Sequence, residues 1–326
     1  MINQFKTLNP LNLLLLFAYT FFMRIIIFVN PPERLNFEFL ESYTKFLIQV
    51  PAGDNIPVSL NIFIAAILIY IQAIIFNRVV NNHGLLNKPT FLPALLYITG
   101  ASLFEPFLIL SPTLICNFLL ILVMDKLLRI GKSPGAIMIM FDIGVIIAIG
   151  TLIYFPFVVM LLLIWLSLLL YRSFNWREWV SGLIGFLSIF FFVAVFYYWN
   201  DNIAMFYKIW LPLKNKFPSI FKIQYNDYLV LVPVGVMMIL AIIQLRENFF
   251  RSFISTRKAF QMLFFMFAIA ILSFYTKPNF KLYHFLLCVP PGAVLLAYYF
   301  ANATKRWFYE SLFLILVFAI QFFLFV

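Results

Sequence analysis

The feature that most constrains this chain is a succession of apolar runs, most about as long as a bilayer is thick, from residue 11 to residue 326. A spanning helix needs roughly 20 predominantly apolar residues. On that ruler the sequence predicts eleven spans, at 11–29, 58–77, 91–110, 112–128, 134–151, 153–171, 179–199, 228–245, 260–276, 284–302 and 308–326. Two divisions are very short: Ser111-Pro112 separates the third span from the fourth, and Tyr154 to Pro156 the fifth from the sixth. Each such pair reads as two crossings, as a re-entrant hairpin or as a broken helix. A chain of 326 residues that is 64% hydrophobic and 11% charged has too much apolar surface to bury in a soluble domain. The expected fold class is all-α: a polytopic transmembrane helical bundle forming a single integral membrane domain over 1–326.

The first apolar run is long and lacks a small-residue cleavage site, so it reads as a retained helix rather than a cleaved leader. Cys116 and Cys288 both lie in apolar runs and offer neither zinc spacing nor a disulfide framework. The net charge of +11 would suggest nucleic acid in a soluble protein. Here the cations punctuate apolar spans, so membrane lipids are the expected partners and nucleic acid is not.

Lysine and arginine set the expected orientation. With the N-terminus in the cytoplasm, 14 cations fall on the inner side: Lys6, Arg78, Lys88, Lys126, Arg129, Lys132, Arg172, Arg177, Arg246, Arg251, Arg257, Lys258, Lys305 and Arg306. Eight fall outside: Arg34, Lys45, Lys208, Lys214, Lys216, Lys222, Lys277 and Lys281. The bias predicts an inner-membrane protein with a cytoplasmic N-terminus. Two outer loops are long. In the first, residues 30–57, the spacing of Leu35, Phe37, Phe39, Leu40, Tyr43, Phe46 and Leu47 predicts a short amphipathic helix on the interface. The second, residues 200–228, is basic and also reads as interfacial.

Ionisable groups within or beside the spans are the candidates for chemistry. Lys277 to Pro291 carries Lys277, Lys281, Tyr283 and His284 into a Pro290-Pro291 pair. Together these side chains suit an anionic group such as a phosphate; alternatively the lysines snorkel and Tyr283 and His284 sit in the headgroup belt. Arg24 lies inside the first span, either snorkelling, pairing with a loop carboxylate or facing an anionic ligand. Glu105 precedes Pro106 near the outer mouth and is a candidate base, metal ligand or partner for Arg24. Asp142 is expected near mid-span as a protonated, hydrogen-bonded structural group. Glu33, Glu38 and Glu41 are the acids of the first outer loop, solvated or catalytic. The inner motif Arg172 to Trp179, R-S-F-N-W-R-E-W, reads as an anchor for topology and packing. There is no P-loop, G-x-G-x-x-G, H-E-x-x-H or nucleophile-elbow pattern, so nothing points to a nucleotide motor or a serine hydrolase.

Residues 281–297, K-L-Y-H-F-L-L-C-V-P-P-G-A-V-L-L-A, resemble the late-helix motif of GT-C polyprenyl-phosphate-dependent glycosyltransferases, the group that includes protein mannosyltransferases and lipid A aminoarabinose transferases. Residues 150–186 are similar to the middle of such enzymes. The R-x-F-N-W-R-E-W motif and the third span, N-K-P-T-F-L-P-A-L-L-Y, resemble a family of polytopic inner-membrane proteins from Bacteroidota over most of the chain. The GT-C resemblance implies an acidic catalytic or metal-binding residue in the first outer loop, a role that falls by position to Glu33, Glu38 or Glu41. That loop holds no Asp-Asp or Asp-Glu pair. It further implies a polyprenyl-phosphate-linked sugar as substrate, a divalent metal as candidate cofactor, and Arg24, Lys277, Lys281 and His284 around the leaving phosphate. Glu105 is a second candidate for the base. Two other readings stand beside the transferase: a non-catalytic subunit with protein partners in a larger membrane complex, and a lipid or solute transporter.

Overall fold

The computed structural model describes residues 1–31, 57–86, 88–133, 135–210, 228–248, 253–276 and 281–325. Among these residues the fold is helical without strands. Its α-helices are α1 (Ile2–Phe5), α2 (Leu11–Phe22), α3 (Ile25–Val29), α4 (Val58–Asn82), α5 (Leu92–Gly100), α6 (Glu105–Leu108), α7 (Pro112–Arg129) and α8 (Ile137–Ile153). They continue with α9 (Leu162–Tyr171), α10 (Trp176–Trp199), α11 (Ile203–Lys208), α12 (Leu231–Asn248), α13 (Ile254–Leu272), α14 (Val289–Asn302) and α15 (Arg306–Phe325). Among the described residues six helical stretches are long and apolar enough to cross a membrane: Val58–Asn82, Trp176–Trp199, Leu231–Asn248, Ile254–Thr276, Leu282–Asn302 and Arg306–Phe325. Of the other apolar runs, 112–128 forms the uninterrupted α7, which carries Asp125, Lys126 and Arg129 in its last turns, and the described remainder forms shorter or interrupted helices. The expected amphipathic helix of the first outer loop and most of the second outer loop lie outside the described residues.

The interruptions have local causes. The run 91–110, expected as one span, stops at Gly100 and restarts at Glu105. Pro106 cannot donate a helical hydrogen bond and disfavours helix at the residue before it, so a helix can begin there but not pass through. At the next division Ser111 accepts from the Leu114 amide at 3.3 Å and Pro112 opens α7, an N-cap followed by Pro at the first helical position. Tyr154 is extended, and Phe155–Leu161 is a 3-10 segment that carries Pro156 at its start and leads into α9. In the first run the α-helix breaks at Met23 and Arg24.

Two packing features organise the bundle. The helix α14 is buried on every side, from Val289 through Phe300 without exception, which marks it as the central column. The pair α8 and α10 is joined by small residues. A side chain on Gly144 would collide with the Gly182 carbonyl, and one on Gly185 with the Phe141 carbonyl, so the two backbones touch. Membrane helices associate mainly through such close packing, because lipid supplies no hydrophobic drive between them. Several hydroxyls inside the bundle bond back to the carbonyl four residues earlier: Thr20 to Leu16, Thr99 to Leu95, Ser102 to Ile98 and Thr151 to Ile147.

One end of the bundle is ionic. His83 Nε2 lies 2.8 Å from Asp125, which also holds Arg129 at 2.5 Å. Arg172 pairs with Glu178 at 3.0 Å, and the Met1 amine with Glu310 at 2.8 Å. Asp142, expected near mid-span and neutral, sits in the second turn of α8 and pairs with Lys126 at 2.7 Å. It is part-exposed at the ionic end, because α8 begins only at Ile137.

The motif at 172–179 joins α9 to α10, with residues 173–177 exposed and Glu178 buried. Asn175 caps α10 by accepting from the Arg177 amide at 3.2 Å. The buried Glu178 accepts from the Ala136 amide and from Arg172.

Candidate functional site

The site is built around residues 281–293. Pro290 and Pro291 have no amide hydrogens, so an α-helix entering from upstream would lose its bonds to the carbonyls of Leu286 and Leu287. The chain instead approaches as a 3-10 segment, Leu282–Cys288, and becomes α14 at Val289. Side chains from α7 brace this irregular backbone: Asn117 Nδ2 donates to the Leu286 carbonyl at 3.0 Å, and Thr113 Oγ1 to the Tyr283 carbonyl at 2.9 Å. In a bilayer such bracing is obligatory, since no water reaches a freed carbonyl.

His284 is buried among groups from two other segments. Its Nδ1 is 2.9 Å from the Tyr154 hydroxyl. Its Nε2 is 3.1 Å from both the Ser273 hydroxyl and the Ala270 carbonyl. A carbonyl only accepts, so the contact with Ala270 places a proton on Nε2, and Nδ1 faces the Tyr154 hydroxyl. Both nitrogens thus have partners inside the protein, and the ring joins three segments.

The neighbours of His284 face outward. Lys281 is extended, exposed, and holds its Nζ 5.6 Å from the centroid of the Tyr283 ring. Tyr283 in turn lies edge-on to Tyr154, with ring centroids 6.0 Å apart. Immediately beside this segment is a half-open cavity of about 510 Å³. Leu282, Phe285, Val289 and Gly292 form one wall, Gly100, Phe104 and Phe107 a second, and Leu231, Val234 and Met238 of α12 a third. The lining is apolar apart from Tyr228 and Cys288. Lys281 directly precedes the first residue of one wall. Glu105 stands between two residues of another.

Glu105 is exposed, in the first turn of the four-residue α6 rather than within a spanning helix. It shares the apolar cavity's surroundings with Lys281. Arg24 is completely buried at the break between α2 and α3, donates from Nη1 to the Thr20 carbonyl at 3.1 Å, and does not line the cavity. Its Nε and Nη2 find no acceptor among the described residues. Glu33, Glu38, Glu41 and Lys277 lie outside the described residues. Among the described residues no three His, Cys, Asp or Glu side chains come close enough to hold a metal ion.

Sequence reasoning singled out His284 but missed Tyr154, Ser273, Thr113 and Asn117, which fix it and its backbone. It also missed Gln72, which bridges Tyr97 at 2.8 Å and the Leu114 carbonyl at 2.6 Å. The available signal was an uncharged polar residue within an apolar run, as at Gln72 and Asn117.

Neither a curated protein nor a solved structure matches the chain. Residues 36–326 match the model of a family of unknown function, DUF6427, and the chain belongs to that family.

Proposed function

We propose that this membrane protein binds the hydrocarbon chain of a polyprenyl-phosphate lipid in the cavity beside α14, with the phosphate held near Lys281. The observation that carries this reading is the apolar cavity of about 510 Å³ lined by Leu282, next in sequence to Lys281, on a segment that resembles the late-helix motif of GT-C transferases. Apolar walls with few polar groups at the rim suit a long chain with a charged head. Lys281 supplies a mobile point charge for the phosphate. In this reading the activity is transfer of a sugar from the lipid at the periplasmic face of a bacterial inner membrane. The ionic, lysine- and arginine-rich end then lies in the cytoplasm with the N-terminus. In this reading Glu105, exposed and next in sequence to the cavity residue Phe104, is a candidate to accept the proton of an acceptor hydroxyl. Glu33, Glu38 and Glu41 are the first-loop candidates for that role or for a divalent metal.

Native mass spectrometry of the gently solubilised protein tests the lipid. A polyprenyl phosphate should be retained by the wild type and lost from Gly292→Phe, whose side chain would enter the cavity beside Phe267. Absence of the lipid from the wild type, or equal retention by a folded variant, would sink the reading.

A second reading, a non-catalytic subunit of a larger membrane complex, is favoured by α12, which buries only Met237 and Ala241. A helix so little covered leaves a face for a partner protein or for lipid. Stoichiometric copurification of another membrane protein without a polyprenyl lipid would select this reading.

A further inference from the structure

Of the six stretches long enough to span, α12 is the least buried. It packs on α14 and α15. Met237 and Ala241 are its buried residues, and Leu231, Val234 and Met238 line the apolar cavity. The other side of the helix is exposed, and three features set that side apart.

The first is pattern. The exposed residues Val232, Val236, Ile239, Ile243 and Arg246 follow one another at spacings of 4, 3, 4 and 3. On a helix turning about 100° per residue they fall within about 80° of one another, a narrow seam of the kind along which two helices interlock. The second is residue type. The exposed surfaces of α10 and α15 are rich in aromatic rings, among them Phe191, Phe192, Phe318 and Phe322. From Leu231 to Asn248 there is no aromatic residue, and the apolar seam positions are all Val or Ile. β-Branched side chains are stiff in a helix, so packing them costs little freedom, and membrane helices associate through such packing. The third is charge. At the ionic end Asp125, Asp142, Glu178 and Glu310 each hold a cation. Arg246 and Glu247, at the same end on α12, are both exposed, and neither makes an ion pair among the described residues. As sequence neighbours they do not face each other on the helix.

We propose that the exposed side of α12 is the surface on which a second copy of this chain docks, α12 against α12. Copies that share one topology in a membrane are related by an axis along its normal, so the two helices run parallel and each seam residue meets its own counterpart. The seam is self-complementary in that arrangement. Val and Ile meet Val and Ile, and Arg246 of each copy comes beside Glu247 of the other, on the flank where interhelical ion pairs form. Docking thus gives Glu247 the cation that its own chain does not supply. The proposal is independent of what the apolar cavity binds, because the cavity-lining residues of α12 lie on a different face from the seam.

The test uses the full chain with Cys116 and Cys288 replaced by Ala, in membranes under oxidation. Ile239→Cys and Ile243→Cys should each give a disulfide-linked dimer, and Ile184→Cys, comparably exposed on α10, should not. In phosphatidylcholine vesicles over a range of protein-to-lipid ratios, single-molecule photobleaching counts the copies. Arg246→Glu and Glu247→Arg should each weaken the dimer about threefold to tenfold, and the two together should restore it to within about twofold. Thermal unfolding of each variant separates lost association from lost folding. The proposal is overturned if the wild type is monomeric at every ratio, which would leave the seam to lipid. It is also overturned if the α12 cysteines link no better than Ile184→Cys or link to a different protein, or if the charge reversals leave the dimer unchanged or are not rescued in combination.

Discussion

The Tyr154 hydroxyl and His284 Nδ1 lie 2.9 Å apart, joining positions 130 residues distant in the chain. Each sits where the backbone leaves the α-helix, Tyr154 before one 3-10 segment and His284 within another. The contact is therefore a structural joint, and mutation should show it in stability. Tyr154→Phe should cost about 0.6–1.7 kcal/mol, the range for interhelical hydrogen bonds in membranes. His284→Ala should cost about 1–3 kcal/mol, because it removes the buried ring that both the Tyr154 and Ser273 hydroxyls contact. The double variant should lose less than the sum, as measured by unfolding in detergent. Additivity within about 0.5 kcal/mol would show that the two side chains are not coupled.

The contact between α8 and α10 predicts a steep dependence on size at two glycines. Gly144→Leu and Gly185→Val force side chains into backbone atoms that cannot yield, so each should cost about 3 kcal/mol or prevent folding. Gly235, within α12, has nothing within 4 Å of the position a Cβ would take. Gly235→Ala should raise stability by about 0.5–1 kcal/mol through helix propensity. Thermal unfolding of the three variants checks the contrast, and a neutral Gly144→Leu would disprove the backbone contact.

At the start of α10, Glu178 is buried and serves both Arg172 and the Ala136 amide. Glu178→Leu takes the carboxylate from a mostly buried guanidinium, which keeps the Ser133 carbonyl, and the acceptor from the Ala136 amide. The expected cost is about 3–5 kcal/mol, the range for breaking a buried pair from one side. Protease cleavage between residues 133 and 176 should rise in parallel. Unchanged cleavage and unfolding would mean the pair is dispensable.

Arg24 makes the opposite prediction. It is buried, and two of its three guanidinium nitrogens lack acceptors among the described residues. Replacing an uncompensated buried cation by an apolar side chain removes a cost. In delipidated protein, Arg24→Met should unfold at the same or a higher temperature, while retention of anionic lipid in mild detergent should fall. A lower unfolding temperature in delipidated protein would mean that a group of the chain itself compensates the charge.

The all-α class and the divisions at Ser111-Pro112 and Tyr154–Pro156 were legible because apolar length and proline chemistry are local properties. The helix start within the 172–179 motif is local in the same way, an Asn cap followed by an acid in the first turn, although from sequence the motif reads only as an anchor. The break at Gly100–Phe104 was not, since Ala101, Leu103 and Phe104 continue the apolar pattern and only Pro106 hints at a restart. The position of Asp142 followed from where α8 begins, which hydropathy blurs by several residues. His284 stood out by residue type, but its partners Tyr154 and Ser273 come from segments that only the tertiary fold brings together. The assignment of Glu33, Glu38, Glu41 and Lys277 rests on the sequence alone.

The ion pairs His83–Asp125–Arg129, Lys126–Asp142, Arg172–Glu178 and Met1–Glu310 all fall at one end of the bundle. The molecule is consequently bound at its base like a sheaf, while the opposite end is assembled from short helices, 3-10 turns and the sparsely covered α12. Strain introduced there spreads the helices instead of sliding them, and the width of the apolar cavity is what changes. Spin labels at positions 103 and 234 should therefore move apart when a long-chain lipid enters, while labels at 88 and 305 keep their separation.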